Sequence, residues 1–470
     1  MKPCNLLLLA ANSLLWLGVW SGVATMPALA ESRPHYGGTL RVAMKEAPQT
    51  LDPAAAGVPA SISRMIFETL VALDERGRPQ PLLATLWQSD LGNQRWRFFI
   101  RGGVSFSDGS PLDSVAVAAS LHNSNPQWKV SAAADMVMIE TESADPDLPA
   151  ELALERNSIV RRSASGGKLS GTGPFVIAQW DAGKHVSLTA NEQYWAGRPF
   201  LDSVQLDLGK NDHDQMLSLD LAKADVVEVA PESIHRERAE NRMVMTSEPV
   251  ELMALFFAHD PSSEDETHAR NALALSIDTA AVNNVVLQGG GEPSGALLPN
   301  WISGYAFVFS AAGYAAAGNT TAESMDRARQ ERAQAKHVLA WTLGFDASDA
   351  VARVIAERVL LNARDAGITL QLISGGSPDL RLVRIPPSSS DPHVVLAELA
   401  KVLQLPQPHC ENDSTADLYS AEKVLLQSHR VIPLLHLRSA VAQRSNVHDL
   451  NPLPDGTWSA SNVWLSGEKP

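Results

Sequence analysis

Histidine, cysteine and glutamate stand side by side at His409-Cys410-Glu411, and imidazole, thiolate and carboxylate are the ligand set of a zinc site. Sequence neighbours seldom converge on one ion, and no second pair is spaced to complete the shell. His393, His429 and His436 repeat no ligand spacing either. Nucleophilic chemistry finds no better footing. The chain has no Gly-x-Ser-x-Gly elbow and no His-Glu-x-x-His helix. Ser163-Ala-Ser-Gly-Gly167 reads as a flexible loop. Gly289-Gly290-Gly291 follows a helical pattern instead of linking a strand to a helix, which is the wrong place to cradle phosphate. Asp and Glu pairs are many, but nothing selects two of them for glycoside chemistry. These residues predict no metal, no cofactor and no enzyme.

The frame that must position any site is large. The chain has 470 residues, 45% hydrophobic and 19% charged, enough for two or three domains. No repeat is apparent. A formal net charge of −15 argues against nucleic acid and against a polybasic membrane patch.

Lys2 is the only charge among the first 30 residues. An apolar run from Leu6 to Val23 ends at Pro27-Ala28-Leu29-Ala30, an Ala-x-Ala site, so residues 1–30 read as a cleaved secretory signal peptide. A signal anchor is the alternative, because the run is near the minimum spanning length. After cleavage Cys410 is the one cysteine left, so no intrachain disulfide is expected.

Strand and helix patterns alternate, which predicts an α/β class. Arg95–Leu112 is the most distinctive stretch. Trp96, Phe98 and Ile100 alternate, Gly102-Gly103 turns, and Val104 and Phe106 start a second strand. Pro111 then opens a helix through Leu121. Helices are also expected over 62–70 with Ser61 as cap, and over 268–287, 322–343, 349–366 and 417–428. Strands are expected over 136–142, 176–180, 185–190, 204–208, 226–229, 251–258, 368–373, 380–385 and 431–437. On the apolar strand 251–258, Phe256 and Phe257 point to opposite faces, one toward the core.

Several short motifs in order resemble the family 5 extracellular solute-binding proteins, the periplasmic receptors of oligopeptide, dipeptide and nickel ABC transporters. They are Thr50-Leu-Asp-Pro53, Gly57-Val-Pro59, Phe67-Glu-Thr-Leu70, Pro81-Leu-Leu-Ala84 with Trp87, and the Arg95–Leu112 run. Gly171-Thr-Gly-Pro-Phe175, Asn191-Glu-Gln-Tyr-Trp195, Arg270–Asp278 and Val431-Ile-Pro-Leu-Leu435 follow. The resemblance implies a bilobed periplasmic-binding-protein fold, type II-like with an extra subdomain, its mixed sheets flanked by helices and its hinge crossed twice. The N-terminal lobe would take residues 31–248 plus 430–470, with a subdomain inserted at about 73–190. The second lobe would take 249–429. Cleft closure would be a hinge motion.

The resemblance places the ligand at Gly57, Val58, Arg384, Ile385 and Ser388. Gly57 and Val58 would offer backbone groups, or form a plain connecting loop. Arg384 would bind a carboxylate or phosphate through its planar fork, or be a solvated loop charge. The chain departs from peptide-binding relatives where an acidic residue precedes the Gly-Val pair, here Ala56. It departs again where an aspartate three residues before an acidic-Pro pair holds the ligand's amino group: the pair is Asp391-Pro392 and the position is Ser388. A buried ammonium without a carboxylate is costly, so free N-terminal dipeptides are expected to bind poorly. The implied protein is a monomeric periplasmic receptor that hands a peptide or other small-molecule ligand to ABC permease subunits. A secreted hydrolase and a scaffold or sensor that has lost transport are the alternatives.

Overall fold

The computed structural model describes residues 33–163, 167–311, 321–337, 340–410 and 414–467. The signal peptide expected over 1–30, the middle of the Ser163–Gly167 loop and Glu411 lie outside the described residues.

Two long strands organise the molecule. Met243–Phe257 and Val431–Gln443 run antiparallel along each other. At one end Val431–Gln443 also bonds Val226–Val229, and the sheet continues through Thr39–Ala43 and Ser203–Asp207 to His185–Ala190 and Phe175–Asp181. At the other end Met243–Phe257 pairs with Leu380–Ile385, followed by Ala340–Gly344 and Thr369–Ile373. Parallel and antiparallel pairs mix, as expected. The register of the central pair slips between Thr246 and Pro249 and again before Glu251. Proline has no N–H for the ladder, so the break falls where the sequence cannot sustain pairing.

Each half of the sheet has its own core. Leu40, Val42, Val204, Leu206 and Val226 pack against Ile62, Met65 and Phe67 in the first half. In the second, Met253 and Leu255 face Leu273, Ile355 and Val359 of helices Glu264–Ser276 and Ala350–Asp365. Leu252 and Ala254 point the other way, onto Leu396, Leu399 and Leu425 of helices Pro392–Val402 and Thr415–Gln427. Burial on both faces is why this strand reads as a continuous apolar run. The strand Val431–Gln443 is shared: Ile432, Leu434, Leu435 and Leu437 pack in the second core, Val441 in the first. Among the described residues no helix is long and apolar enough to cross a membrane.

Several expected elements change shape. Arg95–Ile100 does form a strand with Trp96 and Phe98 buried, but its partners are Ala84–Ser89 and Met136–Glu140. Val104 and Phe106 reach the same core from a turn, and only Ser105 and Pro111 form an isolated bridge. The following helix starts at Ser114, where the Asp113 carboxylate accepts the Ala116 N–H at 2.8 Å; Pro111 stays in the bridge. The helix expected over 62–70 ends at Ile66, and Ser61 accepts the Trp458 N–H instead of capping. The 268–287 pattern is two pieces: a helix Glu264–Ser276 capped by Ser263, then a turn restarted by Asp278. Residues 340–344, which overlap the end of the expected 322–343 helix, are a strand, because Trp341 and Leu343 alternate into the second core beside Thr369–Ile373.

The spaced family motifs meet at one buried carboxylate. Glu68 Oε1 accepts Tyr194 Oη at 2.8 Å; its Oε2 accepts Thr172 Oγ1 at 2.7 Å and Trp195 Nε1 at 2.9 Å. Burial pushes the Glu68 carboxyl up, against the pull of these donors. Gly171 and Gly173 are there because a Cβ would lie 2.0 Å and 2.8 Å from the Ile66 carbonyl oxygen.

Candidate functional site

A cavity of about 720 Å³ opens at the break in the two long strands. Its first wall is built by Lys45-Glu46, which follows Thr39–Ala43, and by Ala230–Glu232, which follows Val226–Val229. These are the C-terminal ends of neighbouring parallel strands, where open α/β sheets place ligands. Gly57 to Ser61 complete that wall. Glu251, Asp349, Arg384 and Pro386 to Ser388 form the opposite wall, and Arg438 to Val441 line the crossing strand. A turn near the C-terminus, Asp455 to Trp458, sits over the crossing: a Cβ on Gly456 would lie 2.7 Å from Ser439 Oγ and 2.8 Å from Val250 Cγ2. A second cavity of about 490 Å³ adjoins through Arg64, Glu155, Ser388 and Asp455.

The structure brings Gly57, Val58, Arg384 and Ser388 to the same cavity. Gly57 has φ +82° and no atom within 4 Å of a built Cβ, so its backbone faces open space. Ile385 does not join them. It pairs with Leu252 and packs against the second half's other core, as alternation from Arg384 requires. Asp391 is the N-cap of helix Pro392–Val402, its carboxylate accepting the His393 and Val394 N–H groups at 3.0 Å. Phe257 is buried beneath the Arg270 guanidinium and Phe256 lies by Arg430; neither lines the cavity.

Arg384 is not a free anion receptor. Its Nη2 lies 2.7 Å from Glu251 Oε2, its Nε 3.2 Å from Oε1, and its Nη1 3.2 Å from Asp349 Oδ2. The fork expected for a ligand carboxylate or phosphate is closed on the protein's own carboxylates. Burial opposes the guanidinium charge, and the two acids more than restore it. Arg64 is treated alike by Glu155, by Asp455 at 2.5 Å and by Thr457 Oγ1 at 2.6 Å.

Around the cavity, carboxyl side chains outnumber cations by eight to five. With Arg384 and Arg64 matched, Glu46, Asp212, Glu228 and Glu232 are the lining carboxyls left without an ion-pair contact among the described residues. Burial, then the neighbouring Glu46 charge, pushes Glu228 well above the usual carboxylate range. Glu228 Oε2 also accepts the Lys45 N–H at 2.9 Å. Burial raises Glu232 as well, and one of its oxygens is buried with no hydrogen-bond partner. Sequence reading missed all four. Glu46, Glu228 and Glu232 stand on or just beyond unremarkable strand ends and Asp212 opens the helix Asp212–Asp220, so only the fold joins them. Among the described residues no three potential metal ligands gather. His436 is buried, with its Nε2 3.0 Å from the Leu297 carbonyl oxygen. Gly290 lies against the 3-10 turn Pro231–Ser233, where a Cβ would meet the Pro231 oxygen at 2.3 Å, so the glycine run serves close packing.

A family model described as bacterial extracellular solute-binding proteins, family 5 Middle, matches residues 78–383. The uncharacterised protein YhjP of Bacillus subtilis is 36% identical over 156 residues, covering 30% of this chain and 27% of that protein. The nickel-binding protein NikA of Staphylococcus aureus is 22% identical over 272 residues, 55% of each chain. The matched stretches thus span about a quarter to a half of these relatives. The structure of the murein tripeptide binding protein MppA of Escherichia coli superposes with a TM-score of 0.74 at 18% identity, over 92% of this chain and 99% of that one. The unliganded open form of MppA gives 0.68 over 91% and 97%. These likenesses support the bilobed α/β fold.

Proposed function

Since this chain belongs to the bacterial extracellular solute-binding proteins of family 5, we propose that it is the receptor of an ABC importer. It captures a peptide-like or other small solute between its lobes and performs no chemistry on it. One observation carries this reading. The 720 Å³ cavity lies where two antiparallel strands pass between the halves of the sheet and lose register. Two crossing strands with a broken ladder can bend, and a cavity at the bend changes volume as they do. We place the change of lobe at 247–250 on the outward strand and at 438–439 on the return. This keeps the first boundary at 248/249 and moves the second from 429/430 to 438–439. The four-stranded sheet of Ala84–Ser89, Arg95–Ile100, Lys129–Ala133 and Met136–Glu140 is the inserted subdomain.

The charge of the cavity narrows the solute. Its own cations are largely satisfied internally, and its surplus is acidic, so a solute carrying positive charge is favoured over an anion. Ser388 supplies a hydroxyl where peptide-binding relatives carry a carboxylate, so the carboxyls that meet the cation are Glu46, Glu228 and Glu232 instead. Export by the N-terminal signal, a periplasmic location and delivery to permease subunits complete the reading.

A thermal-shift screen of the purified protein tests it, using diamines, basic peptides, neutral dipeptides, sugars, metal chelates and dicarboxylates. A binding solute raises the melting temperature by mass action. The expected result is a shift with one or more cationic solutes. No shift with any solute, or shifts with dicarboxylates alone, would count against the receptor reading or its charge preference respectively. Turnover of a panel solute would favour the secreted hydrolase.

A further inference from the structure

The two halves of the molecule touch at a second place, away from the paired strands. Residues 148–157 belong to the first half, where Leu148 and Leu152 are anchored in the core of the inserted subdomain. Helix Pro392–Val402 belongs to the second, where Leu396 and Leu399 are anchored beneath Leu252. Between them, Ala150 and Leu154 pack on Val394, with Leu73 alongside. Arg156 then reaches across. Its Nη1 lies 2.8 Å from Glu398 Oε2 and its Nη2 3.0 Å from Glu398 Oε1, a two-pronged contact. Glu151 Oε1 is 3.3 Å from the same Nη2, and Lys401 Nζ is 3.9 Å from Glu398 Oε1. Nearby, Gly77 approaches so closely that a Cβ would lie 2.3 Å from the Ser390 carbonyl oxygen.

We propose that the Arg156–Glu398 pair, seated on the Ala150–Leu154–Val394 contact, is a latch holding the two lobes together over the cavity. It rests on the two-lobe reading but not on any choice of solute. Arg156 lines the cavity on one side, while Glu398 stands on the opposite lobe. The contact is between protein groups only, so it acts on closure whatever solute is present. Two parallel hydrogen bonds from a planar fork give a defined closed geometry. The side chains remain 30% and 22% exposed, so the pair is screened and reversible rather than locked. A contact of this strength sets the balance of closed and open forms, and apparent solute affinity scales with the closed fraction. Arg156 and Glu398 are therefore positioning residues for capture.

Small-angle scattering of the purified protein tests the latch with no solute identified, so it stands or falls separately from the solute class. A compact chain of this length has a radius of gyration of roughly 23 Å. Glu398→Gln and Arg156→Gln should each shift it upward at low salt. The double variant should shift it no further than either single one, because both remove one interaction. Salt should move the parent the same way. Val394→Asp probes the apolar seat, and circular dichroism checks that it folds; if it does not, the glutamine variants, at partly exposed positions, still decide between the outcomes. Radii of both glutamine variants equal to the parent's would overturn the proposal, as would additive shifts in the double variant.

Discussion

Glu422 and His436 hold the same residue from opposite sides. Glu422 Oε1 accepts the Leu297 N–H at 2.5 Å, and His436 Nε2 donates to the Leu297 carbonyl at 3.0 Å. Both side chains are buried, and Tyr305 Oη donates to the other Glu422 oxygen at 2.8 Å. This clamps the loop before Trp301, whose Nε1 donates to the Pro249 carbonyl at the crossing, 2.9 Å away.

The clamp makes stability depend on pH in two opposing ways. Burial pushes Glu422 from 4.5 up to about 7, and pushes His436 from 6.5 down to about 4. Native Glu422 keeps a proton that the unfolded chain releases. Its contribution is full below pH 4.5 and is lost as pH rises through 7. Native His436 refuses a proton that the unfolded chain takes up. Its contribution is full above pH 6.5 and is lost as pH falls through 4. Each is worth about 3 kcal/mol, so between pH 4.5 and 6.5 they nearly cancel. Glu422→Gln should make the protein lose about 3 kcal/mol relative to the parent's profile on acidification. His436→Asn should make it lose a similar amount on going from pH 4.5 to 7. Urea titrations across this range check both; parallel profiles for parent and variants would refute the clamp.

Removing Arg384 should separate stability from charge preference. Arg384→Met leaves Glu251 and Asp349 facing each other, which should cost about 2 kcal/mol, since the group is partly solvated. The same change makes the cavity more acidic. A solute dication found by the thermal-shift screen should therefore bind more tightly by calorimetry, while a variant with unchanged stability would contradict the ion-pair geometry.

The carboxyls of the first wall give the sharpest test of solute charge. Glu46→Gln should weaken a cationic solute about tenfold, or roughly 1.4 kcal/mol, whereas Glu228→Gln, replacing a carboxyl that burial already holds toward its neutral form, should weaken it less. Ser388→Asp should create affinity for neutral dipeptides with a free amino end, which the parent binds poorly. Micromolar dipeptide binding by the parent would show that the amino end already has a carboxylate partner.

Gly171→Ala tests the motif junction. Its Cβ would lie 2.0 Å from the Ile66 carbonyl oxygen, which is backbone and cannot swing aside. A loss of about 3 kcal/mol is expected in urea unfolding. A neutral effect would mean that helix Ala60–Ile66 is not pinned there.

Local sequence determined the α/β class, most strands and the glycine turns. Alternation of Trp96 with Phe98 and the apolar run 251–258 are properties of neighbouring residues, whereas the demand for glycine at 171 and 173 comes from the distant Ile66 carbonyl. Helix ends were less legible. Residues 67–70 and 340–343 follow helical patterns but answer to partners outside their segments, Glu68 to Tyr194 and Trp195, and Trp341 to the second core. The site was half legible. Gly57, Val58 and Ser388 do reach the cavity, whereas the occupant of the Arg384 fork did not show in its own segment. It comes from Glu251 on the paired strand and from Asp349 at a helix start. Which carboxyls line the cavity was likewise decided by tertiary structure alone. Thr39–Ala43 and Val226–Val229 lie side by side in one sheet, so Glu46 comes close to Glu228, and burial of Glu228 with that like charge beside it raises the Glu228 pKa.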